Sequence, residues 1–359
     1  MHRDRFRVVG LAAGHTDATF ERQLADWPVA RAWCAENPGE VPAERRADGG
    51  LADLATADGV EIVVVATTGM TALPAVLDAL ASGRTVALAN KETLVTGGHL
   101  VAALLDRLGG DPLERLRPID SEHSAIWQCL LGEDRASVAR IILTASGGPF
   151  LHRPMESLMS VTPDEALAHP TWRMGHKITI DSATLVNKAF EAIEARWLYQ
   201  LAYSRIEAVI HPRSVVHSLV EFVDGSFKAQ LGHPDMRLPI QFALTYPERL
   251  PSPVTPEPPD AWGALEFEAL DPATFPAYAV VRAAAERGGN RGVVLNAADE
   301  VAVEAFLARR IAFPRISDQI GAAVERWGSD DEPDLDTIVA LDMEIRGALS
   351  AELGLERPD

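Results

Sequence analysis

Hydrophobic and polar positions divide the chain into regions with different repeats. In the first region, continuous apolar runs predict buried strands at residues 6–13, 61–66 and 85–89, and residues 72–81 have the spacing of a helix. Strands that alternate with helices and are apolar throughout are typical of a parallel sheet covered on both faces. The pattern therefore predicts a Rossmann-like α/β domain over residues 1–110.

Mixed signals follow over residues 111–245, where we expect an α/β catalytic domain. Residues 138–145 and 206–210 predict strands, and Asp224-Gly225 between two alternating segments indicates a β-hairpin. Residues 246–270 are rich in proline and predict a linker. Amphipathic repeats then predict a C-terminal four-helix bundle over residues 271–359, with helices at 277–286, 295–308, 316–327 and 335–352.

Composition narrows the possible functions. The 359 residues carry 33 basic and 52 acidic side chains, a net charge of −19, so the overall field opposes nucleic acid. No apolar run is long enough to predict a membrane span. Cys34 and Cys129 form no paired motif, and no signal peptide is predicted, so we expect a cytoplasmic protein. Any phosphate must be bound by local donors, because the global charge repels it.

The richest stretch chemically is residues 177–194. Residues 177–180 alternate and predict a short strand, after which Ser182 is an N-cap candidate for a helix. On that helix Asn187, Lys188 and Glu191 share one sector. An alternative interpretation is an amphipathic surface helix with a weak Lys188–Glu191 ion pair.

A second stretch supports the functional interpretation. Asp120 and Glu122 follow an apolar approach, and they point to the same side if the chain is still extended there. Two adjacent carboxylates repel each other unless a cation joins them. With Glu191 as a third ligand, we predict an oxygen-rich site for Mg²⁺, Mn²⁺ or Co²⁺, among which the sequence does not choose.

Five motifs then match a known family in order along the chain. The sequence closely resembles the 1-deoxy-D-xylulose 5-phosphate reductoisomerases, which depend on NADPH and a divalent metal. The motifs are Asp120-Ser121-Glu122-His123, Ser146-Gly147-Gly148-Pro149-Phe150, His169-Pro-x-Trp-x-Met-Gly, Asp181-Ser-Ala-Thr-x-x-Asn-Lys-x-x-Glu and Leu231-Gly-x-Pro-Asp-Met-Arg-x-Pro-Ile.

The resemblance implies roles for individual residues. It places Lys91, Glu122, His169 and Lys188 in catalysis, and it implies a homodimer. The loop around His169 and Trp172 would close over the substrate, a sugar phosphate. Substrate contacts are implied for Ser121, Ser146, His169, Trp172, Ser182, Asn187, Lys188, His217 and Met236. Core packing is the alternative for Trp172 and Met236, and a structural histidine is the alternative for His217.

The cofactor half departs from the family pattern. The first strand and its glycine-rich NADPH loop would precede residue 6, so this half is expected to be incomplete. Either the chain starts at a downstream methionine or the protein has lost its pyrophosphate cradle. The remaining cofactor contacts implied by the resemblance are Gly14, His15, Thr16, Thr67, Thr68, Asn90, Lys91, Glu92, Met174 and Gly175. His15 replaces a lysine there, and an exposed turn histidine is its alternative interpretation.

Together these features predict the reduction and rearrangement of 1-deoxy-D-xylulose 5-phosphate to 2-C-methyl-D-erythritol 4-phosphate. Two alternatives stay open. One is a redox-incompetent, metal-dependent sugar-phosphate isomerase or aldolase. The other is an inactive paralogue that acts as a partner subunit.

Overall fold

The N-terminal part alternates strands with helices, as its apolar pattern predicts. The computed structural model describes residues 2–28, 30–169, 172 and 174–355. The first elements are β1 (Gly10–Ala13), α1 (Ala18–Asp26), β2 (Arg31–Cys34), α2 (Gly50–Thr56), β3 (Ile62–Val65), α3 (Leu73–Ala81), β4 (Thr85–Leu88), α4 (Glu92–Leu108), α5 (Pro112–Arg115) and β5 (Leu116–Pro118).

These strands form two parallel sheets rather than one. β1 pairs with β2, whereas β3, β4 and β5 form a separate sheet in that order. Among the described residues, no strand bonds to both β1 and β3. In doubly wound nucleotide-binding folds the first strand lies at the centre of the sheet. The predicted Rossmann-like α/β fold is therefore confirmed, with its parallel strands divided between two sheets in the described residues.

Two strand predictions were wrong in detail. The strand predicted over residues 6–13 covers only β1, and Ala12 within it is exposed. The strand predicted as fully buried at residues 61–66 is the edge strand β3, where Val64 is 51% exposed. A parallel strand becomes fully buried only when neighbouring strands and helices cover it. Within the described ranges, β3 pairs with a strand on one side alone, so its residues are less buried than their apolar character predicts.

The central part is built on a five-stranded sheet ordered β10-β7-β6-β8-β9. Strand β6 matches its prediction, and Gly225, with φ of 82°, makes the predicted hairpin turn between β8 and β9. The elements are α6 (Ser121–Leu130), β6 (Val138–Ala145), α7 (Pro163–Ala166), α8 (His176–Thr184), α9 (Val186–Leu198), β7 (Ile206–Ile210), β8 (Val216–Phe222), β9 (Phe227–Leu231), α10 (Arg237–Thr245) and β10 (Glu268–Ala269).

The predicted strand at residues 177–180 is wrong, because these residues belong to helix α8. Burial of Ile180 outweighs the β-propensity of its neighbours, and Thr179 Oγ1 donates to the carbonyl of Gly175 at 2.8 Å. Ser182 consequently lies inside α8 and is no N-cap. The break comes at Leu185, a buried residue with φ of 58°, which separates α8 from α9.

The C-terminal helices match their prediction closely. They are α11 (Pro276–Arg287), α12 (Arg291–Leu307), α13 (Arg315–Trp327) and α14 (Leu335–Glu352). Helix α12 is buried along most of its length. It packs against α4 and α8. In the part of the chain that the structure describes, no helix has the length and apolar character needed to cross a membrane.

Close packing of α12 on α4 generates a test of the fold. A Cβ atom on Gly292 would lie 2.0 Å from the backbone carbonyl oxygen of Val95. Gly292→Ala should therefore lower the free energy of unfolding by about 1–3 kcal/mol in urea denaturation. Gly347→Ala is the control, since a Cβ there meets nothing within 4 Å, and it should stabilise by roughly 0.5–1 kcal/mol. Equal stability of the two variants would contradict the described contact.

Candidate active site

One cleft gathers the residues predicted for metal and substrate. It lies at the carboxyl ends of β4, β5 and β6 and is completed by α6, α8 and α9, which is where ligands bind in α/β sheets. Every predicted metal ligand and substrate contact lines it, namely Asp120, Ser121, Glu122, Ser146, His169, Trp172, Ser182, Asn187, Lys188, Glu191, His217 and Met236. Lys91 and Met174 line the same cleft.

Three carboxylates converge in the floor of the cleft. One oxygen from each of Asp120, Glu122 and Glu191 lies within 4.8 Å of the others. Asp120 caps α6, and its Oδ1 accepts the Glu122 N–H at 3.2 Å. The expected extended backbone at this point was therefore wrong, although the two carboxylates still share one side. Glu191 reaches them from α9.

Two buried lysines bridge these carboxylates. The Lys91 Nζ atom lies 2.7 Å from Asp120, 2.6 Å from the Asn187 side-chain oxygen and 3.3 Å from Glu191. The Lys188 Nζ atom lies 2.6 Å from Glu122 and 2.5 Å from Glu191. When all three carboxylates are ionised, the two ammonium groups leave one negative charge, and the cluster then attracts a further cation.

Electrostatics separate the three carboxylates. Burial and the nearby charge of Glu122 raise the pKa of Glu191 to about 7. Burial would also raise the pKa of Asp120, but the charge of Lys91 outweighs it and holds that pKa below its ordinary value. Oxygen donors of this kind, close together and partly compensated, fit a hard divalent cation such as Mg²⁺ or Mn²⁺.

A second group of donors lies around His169. Its Nε2 atom is 3.2 Å from the Ser146 hydroxyl and 3.0 Å from the Ser182 hydroxyl, while its Nδ1 accepts the backbone N–H of Trp172 at 2.9 Å. Burial lowers the pKa of His169, which favours a neutral ring that donates from Nε2. The two serine hydroxyls and the imidazole N–H lie close together, and hydrogen-bond donors grouped in this way are suited to binding phosphate oxygens.

Glycine is required beside this group. Gly148 has φ of 66°, and a Cβ on it would lie 2.8 Å from the Ser182 carbonyl oxygen. The Gly148 N–H instead donates to the Ser146 hydroxyl at 3.2 Å. The family motif at residues 146–150 therefore lies against α8, where Ser182 is found.

Less polar side chains complete the lining of the cleft. The rings of Trp172 and His217 have centroids 6.4 Å apart, and Met174 and Met236 lie on the same cleft. Burial lowers the pKa of His217, which favours its neutral form. Residues 170, 171 and 173 of the predicted substrate-covering loop lie outside the described part of the chain.

The predicted cofactor residues are more dispersed. Asn90 fixes the turn after β3, since its side-chain amide donates to the carbonyls of Thr67 at 2.6 Å and Gly69 at 2.8 Å. Glu92 approaches Lys177, at 3.9 Å, rather than the cleft. Outside the lining of the cleft lie Gly14, His15, Thr16, Thr67, Thr68, Asn90, Glu92 and Gly175, and His15 is exposed.

Some site residues were missed by the sequence analysis. Thr144 and Ser214 line the cleft, and the backbone of Ser214 has φ of 52°, which no local pattern predicts. Behind the carboxylates, His123 Nε2 lies 3.1 Å from Glu194 Oε2, an ion pair whose angles fall outside hydrogen-bond geometry. The spacing gave a usable signal, because His123 follows Glu122 and Glu194 is one helical turn after Glu191.

Fold and site together define a class of protein: an α/β enzyme with a carboxylate cluster, suited to a divalent metal, at the end of a Rossmann-like sheet. Comparison with known proteins makes this specific. The chain matches the profile of 1-deoxy-D-xylulose 5-phosphate reductoisomerase at residues 1–98, and it matches two profiles of that enzyme's C-terminal domain at residues 116–199 and 231–348. The chain belongs to the 1-deoxy-D-xylulose 5-phosphate reductoisomerase family.

Individual relatives agree over nearly the whole chain. The reductoisomerase of Thermomicrobium roseum is 48% identical over 359 residues, covering 98% of this chain and 92% of the relative. That of Thermus thermophilus is 49% identical over 325 residues, covering 89% and 86%. A solved reductoisomerase in complex with NADPH, fosmidomycin and magnesium superimposes with a TM-score of 0.90 at 36% identity, covering 99% of this chain and 93% of that one.

The pKa of Glu191 gives a test of the metal site. Below about pH 7 the metal-free carboxyl holds a proton, which must leave before the oxygen can bind a cation. Mn²⁺ affinity should therefore fall as the pH is lowered from 8 to 6, by up to about tenfold per pH unit. Calorimetry in two buffers of different ionisation enthalpy should detect the released proton.

Matched variants separate this effect from general electrostatics. Glu191→Gln should weaken Mn²⁺ binding at every pH and abolish the proton release, whereas Glu304→Gln, at an exposed position on α12, should change neither. A parent affinity that stays constant between pH 6 and 8 would contradict the assignment of Glu191 as the titrating ligand.

Proposed function

We propose that this chain converts 1-deoxy-D-xylulose 5-phosphate to 2-C-methyl-D-erythritol 4-phosphate with NADPH and a divalent metal. The observation that supports this most directly is the joint placement of two sites in one cleft. A carboxylate cluster suited to a metal lies beside a serine–histidine group suited to a phosphate. The homodimer implied by the resemblance stays a prediction.

Asp120, Glu122 and Glu191 would hold the metal. When bound, it would supply positive charge to the ketone and hydroxyl oxygens of the substrate as the carbon skeleton rearranges. The Ser121 hydroxyl donates to Glu122, and the Asn187 amide donates to Glu191 at 2.6 Å. These bonds fix the orientation of two of the three carboxylates before any ligand arrives.

The lysines act as donors and charge carriers rather than bases. Burial would lower the pKa of Lys188, but the charges of Glu122 and Glu191 outweigh it and raise that pKa. Asp120 and Glu191 likewise outweigh burial and raise the pKa of Lys91 well above its ordinary value. Both side chains therefore remain ammonium groups at neutral pH, where they can orient substrate oxygens and stabilise developing negative charge.

Ser146, Ser182 and His169 would hold the phosphate at the other end of the substrate. Local donors of this kind are needed because the whole chain carries a charge of −19. Trp172 and Met236 would cover the carbon chain between the two ends and exclude water. Exclusion of water strengthens the interactions of both charged ends with the protein.

NADPH would supply the hydride for the final reduction. Asn90 ties the turn after β3 to the end of β4, a rigid arrangement that suits the nicotinamide end of the cofactor. Within the described residues, no glycine-rich turn follows a central strand to hold the pyrophosphate. Among these residues β1 and β2 form a sheet separate from that of β3, β4 and β5.

Turnover tests the main proposal. The purified chain with Mg²⁺ and 1-deoxy-D-xylulose 5-phosphate should consume NADPH, as followed by its absorbance. Glu191→Gln should lower kcat by roughly three orders of magnitude, because it removes a ligand of a metal that contributes several kcal/mol to the transition state. Glu304→Gln should retain the parent rate. Full activity of Glu191→Gln would refute the metal assignment.

Cofactor binding separates the proposal from its alternatives. We expect NADPH to bind more tightly, in titration calorimetry with Mg²⁺, to a chimera that carries a relative's first strand and glycine-rich turn before Met1. The added backbone N–H groups would hold the pyrophosphate. Equal binding by chain and chimera would show that the cradle is dispensable. Binding by neither would favour the isomerase or partner alternative.

A further inference from the structure

Helix α12 carries charged residues in its buried middle part. They belong to the segment Asn296-Ala297-Ala298-Asp299-Glu300. Asp299 is fully buried, with 0% of its surface exposed, and Glu300 follows it on the same helix. A buried carboxylate is expensive unless a cation compensates it, so packing alone does not account for Asp299.

The compensating cation comes from another part of the molecule. The Lys177 Nζ atom lies 2.8 Å from Asp299, an ion pair that falls outside hydrogen-bond geometry, and it donates a hydrogen bond to Asp181 at 2.6 Å. Glu92 lies 3.9 Å away, and the ammonium also sits 5.1 Å from the centre of the Phe190 ring. We call Lys177, Asp181 and Asp299 the clasp.

The clasp joins the bundle to two elements of the cleft. Lys177 is the second residue of α8 and comes directly after the loop that carries His169 and Trp172. Glu92 begins α4 and follows Lys91, which contacts the carboxylate cluster. One ammonium group thus holds the base of the substrate loop against helix α12.

The neighbouring Glu300 reaches the cofactor side. A Cβ on Gly69 would lie 3.3 Å from the Glu300 Oε1 atom, so this carboxylate lies against the turn after β3. Arg346 of α14 holds Glu300 at 2.8 Å and Asp342 at 2.6 Å. Two consecutive residues of α12, Asp299 and Glu300, therefore contact helix α8, which follows the substrate loop, and the turn after β3, which is proposed above for the nicotinamide.

Energetics make the clasp sensitive to its single cation. Burial and the charge of Asp299 raise the pKa of Asp181, which limits the negative charge that Lys177 must balance. Removing one partner of a buried ion pair leaves a charge uncompensated and is strongly destabilising, whereas removing both partners can be nearly neutral. Single and double variants therefore separate two effects: the loss of the contact between α8 and α12, and the loss of thermal stability caused by an unpaired buried charge.

We propose that Lys177 and Asp299 are positioning residues through which the C-terminal bundle fixes the substrate loop over the cleft. The proposal rests on the function proposed above, in which that loop closes on a sugar phosphate. The C-terminal bundle thereby lowers the Michaelis constant for the substrate, although Lys177 and Asp299 do not line the cleft.

Three variants test the clasp: Lys177→Met, Asp299→Asn and the double variant. Arg309→Met is the control, because Arg309 forms an exposed ion pair with Asp164 at 3.2 Å, which also links the end of α12 to the central part. Steady-state kinetics, hydrogen exchange of residues 174–184, thermal unfolding and Mn²⁺ binding are measured for each.

Each single variant should raise the KM for the sugar phosphate about tenfold or more, with a smaller change in kcat, since the substrate contacts are displaced. Exchange should increase in residues 174–184, and Mn²⁺ affinity should stay within about twofold of the parent. In the double variant thermal stability should recover relative to Lys177→Met, while KM stays raised because the link is still absent. Arg309→Met should behave as the parent.

Other results would overturn the proposal. A merely structural role would lower kcat with KM unchanged, and any change would disappear in the double variant together with the lost stability. If Lys177→Met does not fold, Asp299→Asn, which keeps the size of the side chain, supplies the same comparison. The exchange measurement needs no turnover, so failure of the proposed function, seen as an inactive parent chain, is distinguishable from failure of the clasp.

Discussion

The rest of the structure depends on a cluster of buried charges in the cleft. It consists of three carboxylates and two ammonium groups, nearly all of them withdrawn from water. Each charge in this cluster is costly to bury, and each is tolerable only because a partner lies within about 3 Å. The partners come from α4, α6 and α9, so these helices must be held in one relative arrangement. The His123–Glu194 pair behind the cluster joins α6 to α9 a second time.

Local patterns of apolar residues predicted much of the fold. Strand β6 and three of the C-terminal helices were predicted to within one residue, and α12 begins four residues before its predicted start. Their apolar periodicity is long and is not interrupted. The carboxylates predicted as metal ligands do lie together, since the spacing of Asp120 and Glu122 places them on one side in a helix cap as well as in a strand. Their proximity is observed although the assumed backbone was wrong, and their binding of a metal stays a prediction. A prediction that two side chains lie close together can hold for more than one backbone conformation, so it is less sensitive to an error in the predicted secondary structure.

Features that depend on distant partners were not predicted. The alternation at residues 177–180 favours a strand locally, and only burial against the rest of the core selects a helix. Val64 is apolar, yet its exposure follows from which strands pair with β3. Asp299 has no local sign of a role, because Lys177, its partner, is more than a hundred residues away in sequence. In each case the deciding contact lies outside the window that a sequence pattern covers.

Two of the sheet edges in the N-terminal part also affect how the protein behaves in concentrated solution. Edge β1 and edge β3 each present unpaired backbone groups among the described residues, and Val64 adds an exposed apolar side chain on β3. Such edges are templates for pairing between molecules, and the usual protection is charge. The net charge of −19 supplies a general repulsion between copies. Salt screens that repulsion, so the chain's solubility depends on ionic strength through an edge that lies next to the predicted cofactor site.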